Sequence, residues 1–300
     1  MGTHLIRKLL GDGYFIRNFD RIPAAKIEGQ SASLENYEYF EGDIMSEESL
    51  HEAMSDCDVC VHLASTTLPR SSNADPLYDI ESNLLGTVKL LQQAVKAKIR
   101  KIIFVSSGGT VYGVSQQEKI SESHPTDPIT SYGIIKLAIE KYLALFQQLY
   151  GLEYMALRVS NPYGPGQPSH RNQGAATTFL KKALRGEEIE IWGDGSIRRD
   201  YIYIDDLISA LASSVTYRGE HRVLNIGSGT GVSLNELLDK VDEVVGRKSR
   251  RKYVAGRAFD VPVNVLDIRR AKEELAWEPR VSLEKGLGKY ADWMRGEGHA

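Results

Sequence analysis

Tyr132 and Lys136 stand four residues apart at the head of an amphipathic segment, so a helix there stacks them on one face. An ammonium held beside a phenol stabilises the phenolate and lowers its pKa from about 10 toward the working pH. That makes tyrosine a usable proton acceptor at a sugar or alcohol hydroxyl. With fifteen tyrosines in the chain, roughly one such spacing arises by chance, so the surrounding pattern decides. Upstream, Lys101 to Ser107 reads as a short buried strand that runs into Gly108, Gly109 and Thr110, a loop of small and hydroxyl residues that a ligand can approach closely. Downstream, Ser131 can cap a helix whose apolar positions Ile135, Ala138, Ile139, Tyr142, Phe146 and Leu149 keep helical spacing until Gly151 stops it.

These elements belong to a longer alternation. Strands are expected at 14–19, 37–41, 58–63, 101–106 and 154–159, and helices at 2–10, 47–54, 76–97 and 132–149. Strand and helix in turn argue for a parallel sheet covered on both faces. After Asn161 the pattern loosens into a smaller second lobe, and Asp205 to Ile226 again reads as helix then strand, so the lobes interleave. The chain has 300 residues, 42% apolar and 26% charged, which suits a soluble globular protein with ample core. A formal charge of −3 gives no basic field for nucleic acid. No apolar run approaches the roughly 20 residues that span a membrane, and no signal peptide shape opens the chain, so a cytoplasmic location is expected. Cys57 and Cys60 read as ordinary strand residues, because positions three apart face opposite ways and no second pair completes a metal site. No metal is expected.

Two further segments suggest a dinucleotide. Phe15 to Asp20 ends a strand in an acid about 18 residues after Gly2, where a dinucleotide fold accepts hydrogen bonds from the adenosine ribose and so favours NAD; Arg21 weakens the discrimination against a 2′-phosphate. Gly227, Gly229 and Gly231 lie between a strand and the helix from Leu234 to Val245 and imitate a phosphate loop. They come late, with no parallel unit of the right length after them, and are rejected as a phosphate site.

Seven motifs in register resemble the extended short-chain dehydrogenase/reductase family, specifically its nucleotide-sugar epimerases and dehydratases. They are Gly42-Asp43-Ile44, His62-Leu63-Ala64, Asn83-x-x-Gly86-Thr87, Ser106-Ser107, and Tyr132-x-x-x-Lys136. The sixth is Leu157-Arg158-x-x-Asn161-x-Tyr163-Gly164-Pro165, and the last runs from Gly193-Asp194-Gly195 to Arg199-Asp200-Tyr201 and on to Asp206. The resemblance covers essentially the whole chain. It implies an α/β fold with a Rossmann-type doubly wound parallel sheet, and a smaller C-terminal α/β substrate lobe. The NAD-binding domain would span 1–165 with 201–226 returning to it; the nucleotide-sugar lobe would span 166–200 and 227–300.

The family's glycine fingerprint is kept only in its last glycine, Gly2, and the first strand is absent. Losing that strand would leave backbone edges unpaired at a cost of about several kcal/mol, so the natural protein is expected to start some ten or more residues upstream. NAD would be held by Gly2, Asp20, Arg21, Asp43, Ile44, Leu63, Ala64, Asn83, Ser106, Tyr132 and Lys136. For the substrate, Arg199 and Arg257 match diphosphate clamps, Asp260 a ribose contact, Asn161 a sugar or phosphate contact, and Trp192 an aromatic near the base. Asn264 stands where epimerases restricted to plain hexoses carry tyrosine, which implies room for an N-acetyl group.

Dehydratases resemble one another in an Asp-Glu pair before Tyr112, where this chain has Gly109 and Thr110. Sugar-acid decarboxylases carry a Glu at the second of those positions. What remains is oxidation and reduction at one carbon, which fits a 4-epimerase; the resemblance then implies a UDP-sugar as substrate and NAD as cofactor. Gly108 occupies the family's usual Ser/Thr site, so the bridging hydroxyl is Ser107, with Thr110 as second choice. The alternatives are a nucleotide-sugar 4-ketoreductase or another NAD(P)-dependent sugar-nucleotide enzyme, which would consume cofactor, and a non-catalytic nucleotide-sugar or NAD sensor. A homodimer through helices 76–97 and 132–149 is expected by analogy.

Overall fold

Strand and helix alternate through the first half of the chain in the computed structural model, which describes residues 1–21, 35–167, 174–256 and 261–296. The first elements are α1 (Gly2–Gly11), β1 (Ile16–Asp20), β2 (Tyr37–Glu41), α2 (Glu47–Met54) and β3 (Val59–His62). After α3 (Pro69–Ser72) and α4 (Pro76–Asp79) comes one wide π turn (Ile80–Leu85), then α5 (Gly86–Lys96), β4 (Lys101–Ser107), α6 (Ser131–Tyr150) and β5 (Glu153–Val159). The second half holds β6 (Asn161–Tyr163), α7 (Ala175–Arg185), β7 (Ile189–Trp192), β8 (Arg198–Tyr203), α8 (Ile204–Thr216), β9 (Val223–Ile226) and β10 (Gly231–Ser233). It ends with α9 (Leu234–Val245), β11 (Arg251–Val254), β12 (Val263–Asn264), α10 (Arg269–Leu275) and α11 (Leu283–Gly296).

Two units divide these elements. The first comprises Met1–Val111, Pro128–Leu157 and Ile208–Val223; the second comprises Tyr112–Asp127, Arg158–Leu207 and Leu224–Ala300. Residues 112–127, 158–165, 201–207 and 224–226, assigned from sequence to the NAD-binding lobe, lie in the second unit.

In the first unit β1 and β2 pair in parallel, Ile16 opposite Tyr37. β3, β4 and most of β5, from a sheet of order β3-β4-β5-β9, also lie in this unit, with β3 and β4 parallel in the register Val59 to Lys101. Every residue of β4 from Lys101 to Ser106 is buried, as an internal strand covered on both faces requires. Its apolar side joins Leu50 of α2, Leu90 and Leu91 of α5, and Ile135, Ile139 and Leu143 of α6 in one core. Lys101 is buried without strain on its hydrogen bonding. Its Nζ donates to the carbonyls of Ser214 (2.5 Å) and Tyr217 (2.8 Å), capping the end of α8.

Two sequence expectations change here. The helix expected over 76–97 is interrupted by the π turn, because Asn83 turns its amide onto Thr66, Thr67 and Asp79 while Thr87 Oγ1 donates to its carbonyl at 2.6 Å. The cap of α6 is Thr130 rather than Ser131, with Thr130 Oγ1 accepting from the Gly133 amide at 3.2 Å. Gly151 ends α6 in the left-handed conformation at φ 69°, as its type demands.

Gly133 is required for a different reason. A Cβ there would lie 2.7 Å from the Thr110 carbonyl oxygen and 2.9 Å from Pro128 Cβ, so only glycine lets the 107–111 loop close onto the first turn of α6. Gly133→Ala gains about 1 kcal/mol of helix propensity and loses more to overpacking, roughly 1–3 kcal/mol. A lower melting temperature is the expected result, read by circular dichroism; a higher one would mean the loop yields freely.

The second unit centres on β8, which pairs with β6 and β12 in parallel and with β10 antiparallel. β7 and β11 form a separate parallel pair. Asp200 of β8 is fully buried, and its carboxylate accepts from the amides of Ser228 (2.7 Å), Gly229 (3.1 Å) and Leu266 (3.3 Å) and from Ser228 Oγ (2.8 Å). This explains the glycine run at 227–231. A Cβ on Gly227 would sit 2.4 Å from the Asp200 carboxylate, so the loop's amides bind an internal carboxylate where a phosphate loop would offer them to a ligand.

Candidate active site

The first turn of α6 is tethered at each exposed amide. Ser131 N donates to Asn73 Oδ1 (2.9 Å), Tyr132 N to Ser72 Oγ (3.0 Å) and Gly133 N to Thr130 Oγ1. These are donors that a helix start otherwise leaves without a partner. Tyr132 is thereby held at a fixed height, its side chain half-buried and hydrogen-bonded to Ser65. One turn later Lys136 is buried, its Nζ donating to the Val105 carbonyl of β4 at 3.0 Å and lying 4.7 Å from the Phe104 ring centre and 5.4 Å from that of Tyr132.

The electrostatics depart from the sequence expectation. Lys136 lies over the tyrosine ring, and burial dominates: the Tyr132 phenol is pushed up to about 12 by burial and by the Asp79 charge, against the Ser65 hydrogen bond. Burial also brings Lys136 down to about 8, with Asp79 and Glu140 pulling it back up. His62 is forced down to about 3 by burial and by the Lys136 charge, so it is neutral. Its Nε2 meets Thr87 Oγ1 at 2.9 Å, and since that hydroxyl already donates to Asn83, the imidazole nitrogen donates. Without ligand the phenol is therefore neutral beneath the buried amine. An additional positive charge near the phenol would offset the burial shift and bring the phenol back toward its ordinary range. At about 5 Å and an effective dielectric of about 20 it contributes about 3 kcal/mol, or roughly two pKa units downward.

The hydroxyls of the β4 loop are arranged unequally. Ser107 Oγ is 3.8 Å from where a Gly109 Cβ would stand, while Thr110 Oγ1 is buried without a hydrogen-bond partner among the described residues. Ser106, expected at the cofactor, turns its hydroxyl to Glu140 Oε1 at 2.5 Å. Asn83 is buried within the π turn. Asp20 is the exposed last residue of β1, and Arg21 lies 3.7 Å from Asp43, whose Oδ1 accepts from Met45 N. Ile44 packs against Gly86, where a Cβ would be 3.1 Å away. Leu63 and Ala64 follow β3.

These residues fit a dinucleotide. α1 opens at Gly2 with no side-chain cap and no acid in its first turn, leaving amides that suit a pyrophosphate. Asp20 stands at the strand tip where a ribose is held, and Lys136 has N–H donors beyond the one given to Val105.

In the second unit, Asn161 Nδ2 donates to the Asp200 carbonyl at 2.9 Å, Arg199 Nη1 donates to the Val261 carbonyl at 2.7 Å, and Asn264 is paired in register with Arg199 and buried. β8 thus brings Asn161, Arg199 and Asn264 together, while Trp192 ends β7 in the other sheet. Arg257 and Asp260 lie outside the described residues. Sequence reasoning missed Asp79, Ser65, Thr67, Ser72 and Asn73. The spacing of Asp79 and Asn83, one helical turn apart, was the one local signal. Cys60 is half-buried with its thiol pushed up to about 12 by desolvation, and no metal-binding cluster occurs among the described residues.

A parallel α/β sheet with a tyrosine and a lysine on the helix against an internal strand is the arrangement of an enzyme that oxidises or reduces an alcohol carbon. The model of the NAD dependent epimerase/dehydratase family matches residues 1–227, and the chain belongs to that family. It is 31% identical to a UDP-glucose 4-epimerase of Mycolicibacterium smegmatis, over 98% of this chain and 95% of the relative. Among solved structures it resembles a UDP-glucose 4-epimerase of Thermotoga maritima with UDP-glucose (TM-score 0.92, 35% identity, 99% and 96% of the two chains). It also resembles one of Thermus thermophilus in complex with NAD (TM-score 0.89, 28% identity, 98% and 96%). No helix among the described residues is long and apolar enough to cross a membrane.

Proposed function

We propose that this chain is an NAD-dependent UDP-sugar 4-epimerase. The observation that carries the reading is the Tyr132 and Lys136 pair, held by a fully tethered helix start against β4, in a chain whose relatives include UDP-glucose 4-epimerases. NAD, when bound, accepts the hydride from sugar C4 and returns it. Tyr132 takes the proton of the 4-hydroxyl as that carbon is oxidised and gives it back when the opposite epimer forms. Lys136 orients and charges this pair from its fixed position on Val105. Asp20 and Gly2 serve the dinucleotide; Arg199 and Asn161 serve the sugar nucleotide, with Arg257, Asp260 and Trp192 assigned there by resemblance. Asn264 is smaller than the tyrosine of hexose-restricted enzymes, which supports UDP-N-acetylhexosamines as substrates beside UDP-glucose and UDP-galactose.

Incubation with NAD and either UDP-glucose or UDP-N-acetylglucosamine, followed by the anomeric proton signals, tests the reading. The galacto epimer should appear without accumulating NADH. Stoichiometric cofactor consumption would instead identify a ketoreductase, and binding without turnover a sensor.

Ser107 is assigned as the bridging hydroxyl. Ser107→Ala should lower turnover by about 10²-fold while Thr110→Val changes it little; the reverse order would move the role to Thr110.

The same reading includes a homodimer. Ile134, Tyr142, Leu145 and Leu149 form an exposed stripe at helical spacing on α6, and Leu77, Tyr78 and Leu85 are exposed on α4 and the π turn that pack beside it. Light scattering should give twice the chain mass, and Leu145→Glu should shift it toward the monomer; a wild-type monomer at micromolar concentration contradicts this.

A further inference from the structure

Asp79 is fully buried at the end of α4, and three donors converge on it. Thr67 Oγ1 (2.7 Å) and Asn83 Nδ2 (2.9 Å) bind one carboxylate oxygen, and Ser131 Oγ (2.7 Å) binds the other. Ser131 is the first residue of α6 and the neighbour of Tyr132. A carboxylate at a helix start is favoured by the helix dipole, yet a buried charge is costly unless something uses it or fully compensates it. The donors here are neutral. Lys136, on the helix that Asp79 anchors through Ser131, is held toward its protonated form by the Asp79 charge.

We propose that Asp79 is a positioning residue for the reaction: it fixes the first turn of α6 through Ser131 and places a negative charge beside the Tyr132 and Lys136 pair. Among the described residues, the charged and titratable groups that act on the pair are Asp79 on α4, Glu140 on α6 and His62 on β3. His62 is neutral, and Glu140 is engaged by Ser106. Asp79 is the charge that acts on both members of the pair: it opposes ionisation of the phenol and supports protonation of the amine. Removing one negative charge lowers both pKa values, so both limbs of a bell-shaped rate profile must move the same way.

This inference rests on the epimerase reading, and Asp79→Asn tests it. Asparagine can keep all three hydrogen bonds, since the Ser131 hydroxyl can accept where it now donates. The pH profile of kcat for the variant, saturated with NAD and UDP-sugar, should slide toward acid by about one unit on both limbs, with activity at pH 8 falling several-fold. Ser131→Ala, which keeps the charge, should lower kcat without the acid slide. A variant profile that loses height while its limbs stay in place would reduce Asp79 to a structural role, as would an acid slide of equal size in Ser131→Ala. If Asp79→Asn does not fold, Asp79→Ser carries the same expectation. The wild-type protein gives an independent reading through its tyrosine absorbance titration: a group near Tyr132 that ionises below pH 9 without ligand would overturn the proposed charge balance. A wild type that does not epimerise any UDP-sugar defeats the epimerase reading, whereas an active wild type with an unmoved variant profile defeats only the role of Asp79.

Discussion

Tyr132→Phe is expected to lower kcat by at least about 10³-fold, equivalent to about 4 kcal/mol of transition-state stabilisation, with KM for the UDP-sugar nearly unchanged. The substitution keeps the ring that lies beneath Lys136 and removes only the oxygen that carries the proton. The backbone amide of Tyr132 stays bound to Ser72 Oγ, so the helix start is undisturbed. Ser65 loses a partner, a small effect on stability that circular dichroism can bound. A loss of tenfold or less would show that another group moves the proton. A parallel rise in KM would show that the hydroxyl binds substrate in the ground state.

Asp200→Ala should have the largest effect on stability, about 3–5 kcal/mol. Three amides and one hydroxyl would be left inside the second unit without their acceptor. A Cβ on Gly227 would meet that carboxylate, so the loop closes directly on it. The midpoint of urea unfolding, followed by tryptophan fluorescence, should fall sharply. A change worth less than about 1 kcal/mol would mean that water satisfies the loop as well as Asp200 does.

The legible part of this molecule is the part written in local chemistry. The apolar run of β4 can only be an internal strand, and the structure buries it from Lys101 to Ser106. The spacing from Ile135 to Leu149, with Gly151 behind it, gives α6 nearly to its last residue. Register between distant motifs showed that these elements form one family fold. What escaped was set by contacts between segments far apart in the chain. The π turn exists because Asn83 finds Thr66, Thr67 and Asp79, and no propensity marks such a turn. Thr130 and Ser131 both carry hydroxyls suited to a cap; only the presence of Asp79, 52 residues upstream, draws Ser131 away to another partner. The spacing of Tyr132 and Lys136 placed them on one face, yet spacing is silent on burial, and burial overrides the mutual attraction that the pair suggests in isolation. The glycine loop at 227–231 was correctly separated from a phosphate loop by its place in the chain. Its physical reason, the Asp200 carboxylate already occupying the amides, required the fold.

Following a deuterium label at the sugar C4 of UDP-glucose, with NAD in catalytic amount, distinguishes a transient oxidation at that carbon from every other route. The expected product is UDP-galactose that retains the deuterium at C4, with no reduced cofactor accumulating, because the hydride that leaves one face returns to the other. Deuterium lost to solvent, or collected in reduced cofactor at the expense of the epimer, would contradict 4-epimerisation by this chain.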